Sequence, residues 1–233
     1  MDVVIKAIPV LLMGAVITLQ ITVISISIGC LLGLVAGLSR LSKVKLLRVM
    51  GTAYVDFFRG TPLLVQIMIV YFGLPQLLRD SQTYLMDTIN MPQILNQYTL
   101  PVFLAAIVSC SLNSGAYIAE IFRAGVQSIE RGQMEAARSL GMTSGQAMRH
   151  VILPQAVKRV IPPLGNELIA LLKDTSLLSV IGFEELARRG QLIVGQTYVA
   201  FPVWLTVAFI YLVMTFSFSR MVDYAERRLK TDD

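Results

Sequence analysis

The fold of this chain is decided by residues 135–154, which read Glu135-Ala-Ala-Arg-Ser-Leu-Gly-Met-Thr-Ser-Gly-Gln-Ala-Met-Arg-His-Val-Ile-Leu-Pro154. This segment belongs to a polar, basic stretch from about 123 to 159 that separates two long apolar segments. A connection between two adjacent helices is commonly only a few residues long, so this stretch is too long to serve as a connector alone.

The residue types within this segment predict two short helices. Helix-forming residues stand on both sides of Gly141, and glycine favours the C-terminal end of a helix, so the break is expected there. Thr143 or Ser144 is expected to cap the second helix. Pro154 is expected to end that helix or to start the next element.

The composition indicates a membrane protein with a single domain over residues 1–233. The chain is 55% hydrophobic and 15% charged, with a mean hydropathy of +0.67, and soluble domains are rarely so apolar. About 20 apolar residues cross the hydrocarbon core as one helix. Four stretches contain no charged residue, and a fifth apolar stretch contains Glu167, Lys173 and Asp174. We therefore predict an all-α polytopic protein with five transmembrane helices, at about 10–38, 57–78, 100–122, 161–181 and 201–222.

The basic residues predict the orientation in the membrane, because cytoplasmic loops carry an excess of Lys and Arg. Three alternating regions hold 14 of the 20 basic residues. We therefore expect an external N-terminus, a cytoplasmic C-terminus and a cytoplasmic segment at about 123–160. We interpret the formal net charge of +5 as a topology signal rather than as affinity for nucleic acid. The three regions contain Arg40, Lys43, Lys45 and Arg48; Arg123, Arg131, Arg138, Arg149, Lys158 and Arg159; and Arg220, Arg227, Arg228 and Lys230.

No residue pattern indicates catalysis. A phosphate-binding Gly-x-x-x-x-Gly-Lys-Ser/Thr loop is missing from the sequence, and no Cys/His cluster has the spacing of metal ligands. Cys30 and Cys110 both stand inside apolar segments, where we expect small buried side chains rather than a disulfide or metal pair. We therefore predict no catalytic residue, no metal and no cofactor, and energy for any transport must come from another protein.

The segment 135–154 resembles the EAA loop of permease subunits of ABC importers. That motif is Glu-Ala-Ala, three residues, Gly, nine residues, an aliphatic residue, one further residue and Leu-Pro, and this chain has the same spacing. Val151 stands where the family more often has Ile. The matching residues are Glu135, Ala136, Ala137, Gly141, Val151, Leu153 and Pro154.

The resemblance covers about 14–228 and implies the five-span type I importer permease fold in a bacterial cytoplasmic membrane. It implies two copies of a separate ATPase, a second permease subunit of the same or different kind, and an extracytoplasmic substrate-binding protein. The surrounding lipid is the remaining partner. In the family this loop is a coupling helix that docks on the ATPase. The residues expected to carry the coupling here are Glu135, Ala136, Ala137, Gly141, Met142, Ser144 and Arg149.

Two further stretches resemble the polar amino-acid branch of these permeases. One is Arg59-Gly-Thr-Pro62, followed by an aliphatic pair and Gln66, and the other is 123–135. The implied substrate is a polar amino acid, and Glu167 favours glutamine or a basic amino acid such as arginine. Thr61 and Gln66 could face the translocation path or only satisfy backbone groups freed by Pro62.

The candidate substrate-binding residues are polar groups inside apolar helices, which usually face protein or water. Asn113, Tyr117 and Glu120 are spaced by four and three and share one helix face. We assign substrate contact to Asn113, Tyr117, Asn166 and Glu167, and an ion pair with Arg123 to Glu120. Hydrogen bonding between helices is the alternative for Asn113, and a structural polar network is the alternative for Asn166 and Glu167.

Three other functions stay open from the sequence. A proton-coupled secondary carrier could use Glu120, Glu167 and Asp174 as a relay, and would need no ATPase. A membrane enzyme could use the same carboxylates, although no paired acid and base is evident. A scaffold subunit of the same importer could leave its own half of the pathway empty.

Overall fold

The computed structural model describes residues 2–90, 92–94 and 97–229, so Lys230 of the predicted cytoplasmic tail lies outside it. Within the described residues every regular element is helical, as the sequence predicts. The helices are α1 (Asp2–Arg40), α2 (Lys45–Gly60), α3 (Leu63–Met68), α4 (Leu74–Ile89), α5 (Val102–Gln127), α6 (Arg131–Ser139), α7 (Ser144–Ala147), α8 (Leu153–Asp174), α9 (Leu186–Thr197) and α10 (Ala200–Leu229). Two π-helical turns, Ile69–Gly73 and Met148–Ile152, join α3 to α4 and α7 to α8, and a 3₁₀ segment, Thr175–Ile181, extends α8.

Four helical stretches in the described part of the chain are long and apolar enough to cross a membrane. They are Val3–Arg40, Leu63–Ile89, Val102–Gln127 and Ala200–Arg228. The charged helix α8 is outside this set, so the count of five spans stays a prediction. The predicted span at 57–78 does not coincide with one helix, since α2 ends at Gly60 and α3 begins at Leu63.

Helix α5 lies at the centre of the bundle and packs closely against α1. A Cβ atom on Gly29 would lie 3.3 Å from the backbone nitrogen of Gly115, and one on Gly33 would lie 2.7 Å from Ile118 Cγ2. These short distances show that the two backbones approach each other where side chains are small, as membrane helices commonly do. The glycine face of α1 is therefore a helix-packing surface.

Helices α2 and α3 form one discontinuous path through the bundle. Thr61 is extended (φ −121°, ψ 145°) and Pro62 precedes the first turn of α3. Proline has no backbone N–H and disfavours a helical residue before it, so the chain breaks and restarts here. Asn113, which contacts Gln66 just after the break, stands near the middle of α5. The break therefore lies deep in the bundle.

The segment 123–160 folds as predicted around Gly141. Gly141 has φ +87°, its N–H donates to Arg138 O, and the N–H of Met142 donates to Ala137 O, which is the hydrogen-bond pattern of a Schellman motif. Thr143 caps α7 in a capping box with Gln146. The sequence left Thr143 and Ser144 open as caps, and the structure selects Thr143. Pro154 stands in the first turn of α8, so it starts that helix.

A buried carboxylate joins three helices at the other end of the bundle. Glu185 caps α9 by accepting hydrogen bonds from the backbone N–H groups of Ala187 (2.9 Å) and Arg188 (2.8 Å). It also accepts from the Tyr211 hydroxyl of α10 at 2.7 Å and from the Thr18 hydroxyl of α1 at 3.5 Å. This contact fixes α9 against α1 and α10.

Candidate functional site

A polar cavity of about 390 Å³ lies beside the break between α2 and α3. Three parts of the chain form it: the α2–α3 break, the middle of α5 and the second half of α8. Each supplies polar groups that are rare at such a position in a membrane helix. The lining residues are Thr61, Pro62, Leu63, Asn113, Tyr117, Glu167, Ala170, Asp174 and Leu177.

Two carboxylates of α8 give this cavity its charge. Glu167 and Asp174 are seven residues apart, so they lie on one face of the helix, two turns from each other, and both line the cavity. Glu167 Oε1 accepts a hydrogen bond from the Ser114 hydroxyl at 3.0 Å. An ionised carboxylate has about four acceptor positions, so this single bond leaves Glu167 able to accept from a bound ammonium or guanidinium group.

Gln66 holds the broken helix together. Its Nε2 donates to Phe58 O in the last turn of α2 (2.8 Å) and to Thr61 O in the break (2.9 Å). Its Oε1 accepts from Asn113 Nδ2 at 2.9 Å. The Gln66 side chain therefore satisfies backbone groups freed by the break, which selects one of the two roles left open by the sequence. Thr61 is different, because it also lines the cavity.

The structure brings together three of the four predicted substrate contacts. Asn113, Tyr117 and Glu167 line the same cavity, but Asn166 does not. One residue step rotates a side chain by about 100° around a helix, and Asn166 is exposed on a different face of α8. Its assignment to substrate stays a prediction. Sequence reasoning did not identify Ser114, because no motif marks it within a run of small residues.

A second cavity, of about 420 Å³, lies next to the first along α5, on the side toward α6 and α7. Tyr117 belongs to the wall of both cavities. The other lining residues are Arg59, Glu120, Ile121, Ala124, Gly125, Ser128, Arg159 and Pro163.

Glu120 is the centre of an ion-pair cluster beside the second cavity. The predicted pair with Arg123 is confirmed, and Arg123 also donates from Nε to Glu120 Oε1 at 3.1 Å. Arg40 Nη1 lies 2.9 Å and Arg59 Nη1 3.6 Å from Glu120 Oε2. The ion pairs of Glu120 with Arg40, at the end of α1, and with Arg59, at the end of α2, were not predicted. Only the folded structure brings these three residues together.

Most residues predicted to couple the chain to an ATPase lie on the surface of α6 and α7. Glu135, Ala136, Gly141, Ser144 and Arg149 are exposed, and Met142 is half-buried. Ala137 is the exception, because it is 4% exposed and packs inside the segment. Ala137 therefore packs within the segment, and its assignment to coupling stays a prediction.

Leu140 is an exposed apolar residue that the sequence analysis did not single out. It is 82% exposed at the end of α6, next to the turn at Gly141.

Residues 29–231 match the protein family described as "Binding-protein-dependent transport system inner membrane component". The chain belongs to this family. It is accordingly a multi-pass inner-membrane permease subunit of an ABC importer, with a transport rather than a catalytic role. The resemblance found in the segment 135–154 is confirmed, and the proton-coupled carrier is not supported.

Individual relatives cover nearly the whole permease. It is 40% identical to the glutamine transport system permease protein GlnP of Escherichia coli (strain K12), over 96% of this chain and 94% of that one. It is 39% identical to the arginine transport system permease protein ArtQ of Bacillus subtilis (strain 168), over 98% and 96%.

Solved structures have the same fold. A crystal structure of an amino acid ABC transporter with histidines superposes with a TM-score of 0.83 at 40% identity, covering 96% of both chains. An inward-facing structure of the methionine ABC transporter MetNI gives a TM-score of 0.70 at 22% identity over 96% of this chain and 98% of that one. The type I importer permease fold is therefore confirmed.

Proposed function

We propose that the permease imports a polar amino acid, either glutamine or a basic amino acid such as arginine. The observation that carries this proposal is the cavity in which Glu167 and Asp174 of α8 face Asn113 and Tyr117 of α5. Relatives named for glutamine and arginine transport support the same substrate class.

The charge of the cavity fits an amino acid that carries a cationic group. A charged side chain at the centre of a membrane helix costs about 2.5–3.5 kcal/mol on insertion scales, so two carboxylates on α8 are costly unless a function retains them. An ammonium or guanidinium group bound between them would form charge-assisted hydrogen bonds. Glu167, which Ser114 orients, is the proposed main contact, and the Asn113 amide is the proposed polar neighbour.

The permease forms the complete pathway with a second permease subunit, and an extracytoplasmic binding protein delivers the amino acid. Two ATPase subunits supply the energy. Their proposed contact surface is the exposed face of α6, α7 and the π-helical turn after α7. Glu135, Ala136, Leu140, Ser144 and Arg149 are exposed there. Gly141 and Met142 set the turn between the two helices, and Ala137 packs beneath it.

The coupling works through a rigid connection. Helix α6 follows α5 after a short turn, and α7 continues through a π-helical turn into α8. The same two helices, α5 and α8, carry the cavity. The ATPase in each of its two states therefore favours either the inward-facing or the outward-facing conformation of the permease. The size of the bias equals the difference in its binding free energy for the two conformations.

The test is uptake by the complex reconstituted in liposomes with its ATPase, second permease and binding protein. Labelled glutamine and arginine are offered with and without ATP inside the liposomes. We expect uptake of at least one of them, dependent on ATP and retained in the presence of a protonophore. Uptake that continues without the ATPase, or that the protonophore abolishes, would contradict the proposal.

The site is tested with Glu167→Ala and Asn166→Ala, which alter neighbouring residues on different faces of α8. Glu167→Ala is expected to lower uptake at least about tenfold, since it removes a charge-assisted hydrogen bond worth about 1.5–3 kcal/mol. Wild-type uptake in Glu167→Ala would refute the site. The Asn166→Ala result decides whether that residue reaches the substrate in the assembled complex.

A further inference from the structure

The second cavity of the permease has two guanidinium groups in its wall. Arg59 comes from the last turn of α2, and Arg159 comes from the first half of α8. The cavity, of about 420 Å³, lies next to the carboxylate cavity and shares the wall residue Tyr117 with it. Its volume is in the range of small-molecule sites. The cavity therefore offers space and positive charge directly beside the proposed substrate site.

Both guanidinium groups keep hydrogen-bond donors that the fold does not use. Within the described residues Arg59 makes no hydrogen bond. Its Nη1 lies 3.6 Å from Glu120 Oε2, and its guanidinium carbon lies 5.6 Å from the centre of the Tyr117 ring. Arg159 donates from Nη1 to Ser128 O, and its other nitrogens have no partner in the part of the chain that the structure describes. A guanidinium has five N–H donors in a planar fork that fits a carboxylate, so most of these donors can bind an anion.

The carboxylate in the same wall does not neutralise these two arginines. Glu120 accepts hydrogen bonds from Arg40 Nη1 at 2.9 Å and from Arg123 Nε at 3.1 Å, so two cations outside the cavity wall already match its charge. Among the described lining residues Glu120 is the only acidic one. The second cavity is therefore positive, whereas the carboxylate cavity contains Glu167 and Asp174.

The positive cavity supplies a group that the carboxylate cavity lacks. Every α-amino acid has a carboxylate, but the described residues that line the carboxylate cavity include no Lys or Arg to pair with it. The second cavity offers two such residues. Glu120 in the same wall also prevents the neighbouring ammonium group from facing cations alone. A zwitterion thus fits the second cavity better than a simple cation does.

We propose that the second cavity is a weak binding site for the released amino acid, in which Arg59 and Arg159 bind its α-carboxylate before it enters the cytoplasm. This inference rests on the proposed function, because it takes the solute to be a polar amino acid. The Arg59 side chain is 41% exposed and Arg159 is exposed. Ion pairs of exposed side chains are weak, so a dissociation constant on the order of 1 mM is expected.

Thiol labelling measures the charge of the second cavity. The reporter is Ala124→Cys, an exposed position in the cavity wall, in a chain with Cys30→Ser and Cys110→Ala. The complete complex is prepared in inside-out vesicles without ATP. It is treated with an anionic or a cationic membrane-impermeant methanethiosulfonate, and labelling of the purified permease is measured by mass. The ratio of the anionic to the cationic rate cancels changes in the reactivity of the thiol. This ratio is expected to fall about threefold or more in Arg159→Gln and in Arg59→Gln, because each removes one positive charge from the wall.

The same reporter measures occupancy by an amino acid. Arginine or glutamine at about 10 mM on the cytoplasmic side should slow labelling about tenfold if the dissociation constant is on the order of 1 mM. Agmatine, which is arginine without its carboxylate, should slow labelling less than about twofold. The slowing should persist in Glu167→Ala, which weakens the carboxylate cavity. It should fall below about twofold in Arg159→Gln, because loss of a charge-assisted hydrogen bond weakens binding about tenfold or more.

Lys158→Gln is the matched control for Arg159→Gln. Lys158 is the preceding residue of α8 and carries the same charge, but it does not line the cavity. Its removal should leave the rate ratio and the slowing by amino acids within about twofold of the parent reporter. Because Arg159 also binds Ser128 O, Arg59→Gln is the second site variant in case Arg159→Gln yields no intact complex.

Three results would overturn the site. The first is equal slowing by agmatine and arginine. The second is a parent rate ratio and parent slowing in both Arg159→Gln and Arg59→Gln. The third is loss of the slowing in Glu167→Ala, which would place the bound amino acid in the carboxylate cavity alone.

Inorganic phosphate and anionic lipid are the other sources of an anion. Phosphate is added at the same concentration, and the complex is also reconstituted in phosphatidylcholine vesicles with or without phosphatidylglycerol. Slowing by phosphate or phosphatidylglycerol, with none by the amino acids, would assign the cavity to a phosphate group and reject the proposal.

These outcomes are separate from a failure of the proposed function. Uptake of arginine or glutamine without any slowing of labelling would retain the proposed function and reject this site. Carboxylate-dependent slowing without uptake would retain the site and reject the imported substrate.

Discussion

Asn113 Nδ2 donates a hydrogen bond to Gln66 Oε1 over 2.9 Å, and both side chains are buried, with exposed fractions of 7% and 2%. The bond connects the middle of α5 to the first turns of α3. Because Gln66 also binds Phe58 O in α2 and Thr61 O in the break, one side chain links both halves of the broken helix to the central helix. The polar cavity depends on this arrangement, since the break and Asn113 form part of its wall.

Replacing Gln66 by leucine is therefore expected to destabilise the permease by about 1–3 kcal/mol, because a buried polar group without a partner costs that much. Leucine has a similar size but cannot bind Phe58 O, Thr61 O or Asn113. The measurement is thermal stability of the purified complex. Gln97→Leu, at an exposed position in the connection before α5, is the control and should change stability by less than about 0.5 kcal/mol. Equal stability of Gln66→Leu and wild type would show that the break does not need this side chain.

The glycine face of α1 gives a second prediction, because two of its glycines meet α5 at different distances. A Cβ on Gly33 would lie 2.7 Å from Ile118 Cγ2 and 2.9 Å from Gly115 O, whereas one on Gly37 would lie 3.7 Å from Ala119 O. Gly33→Ala should therefore destabilise the protein by about 1–3 kcal/mol through overpacking. Gly37→Ala should be neutral or stabilising, because alanine favours a helix over glycine by about 1 kcal/mol.

The comparison is made by unfolding both variants under the same detergent conditions. Similar melting temperatures for Gly33→Ala and Gly37→Ala would mean that the α1–α5 contact is looser than the structure shows.

The sequence predicted the helical class and the segment 123–160 because those depend on local patterns. Long apolar stretches determine the membrane helices, and Gly141, Thr143 and Pro154 each act through their own backbone preferences. The break at Pro62 follows from the same kind of local backbone preference, although the predicted span ran through it from 57 to 78. A hydropathy pattern does not distinguish a continuous helix from two helices joined by two extended residues, here Thr61 and Pro62.

The site was only partly predictable, because it depends on contacts between residues far apart in the chain. The spacing of Asn113 and Tyr117 placed them on one face, and the charge of Glu167 marked α8. No motif showed which face of α8 meets the cavity, so both Asn166 and Glu167 were assigned to substrate contact. In the structure only Glu167 lines the cavity. Sequence reasoning missed Ser114 and the ion pair between Arg59 and Glu120 for the same reason.

A third prediction concerns Glu185, the carboxylate that caps α9. Glu185→Ala leaves the N–H groups of Ala187 and Arg188 and the Tyr211 hydroxyl without their acceptor. Loss of a cap costs about 0.5–2 kcal/mol and each buried unsatisfied group adds to this, so a loss of about 2 kcal/mol or more is expected in thermal unfolding.

Glu184→Ala is the neighbouring control for Glu185→Ala. Glu184 has a side chain 60% exposed and its ion pair with Arg189 is 3.8 Å long, so its removal should change stability by less than about 0.5 kcal/mol. If the two variants unfold at the same temperature, the contact between α9, α1 and α10 does not depend on Glu185.

The last prediction separates coupling from stability at the turn between α6 and α7. Gly141 has φ +87°, and a side chain in this left-handed conformation costs about 1–2 kcal/mol. Gly141→Ala is therefore expected to shift the turn and change the angle at which α7 meets the ATPase.

Gly132→Ala adds the same methyl group inside α6, where a Cβ meets no atom within 4 Å. Transport per ATP hydrolysed, measured in the reconstituted complex, should fall severalfold in Gly141→Ala and stay at the wild-type value in Gly132→Ala. Because both glycines lie in the same exposed segment, an equal fall in both variants would assign the effect to an added methyl group on the surface rather than to the backbone of the turn. An unchanged ratio in Gly141→Ala would show that the angle between α6 and α7 does not control coupling.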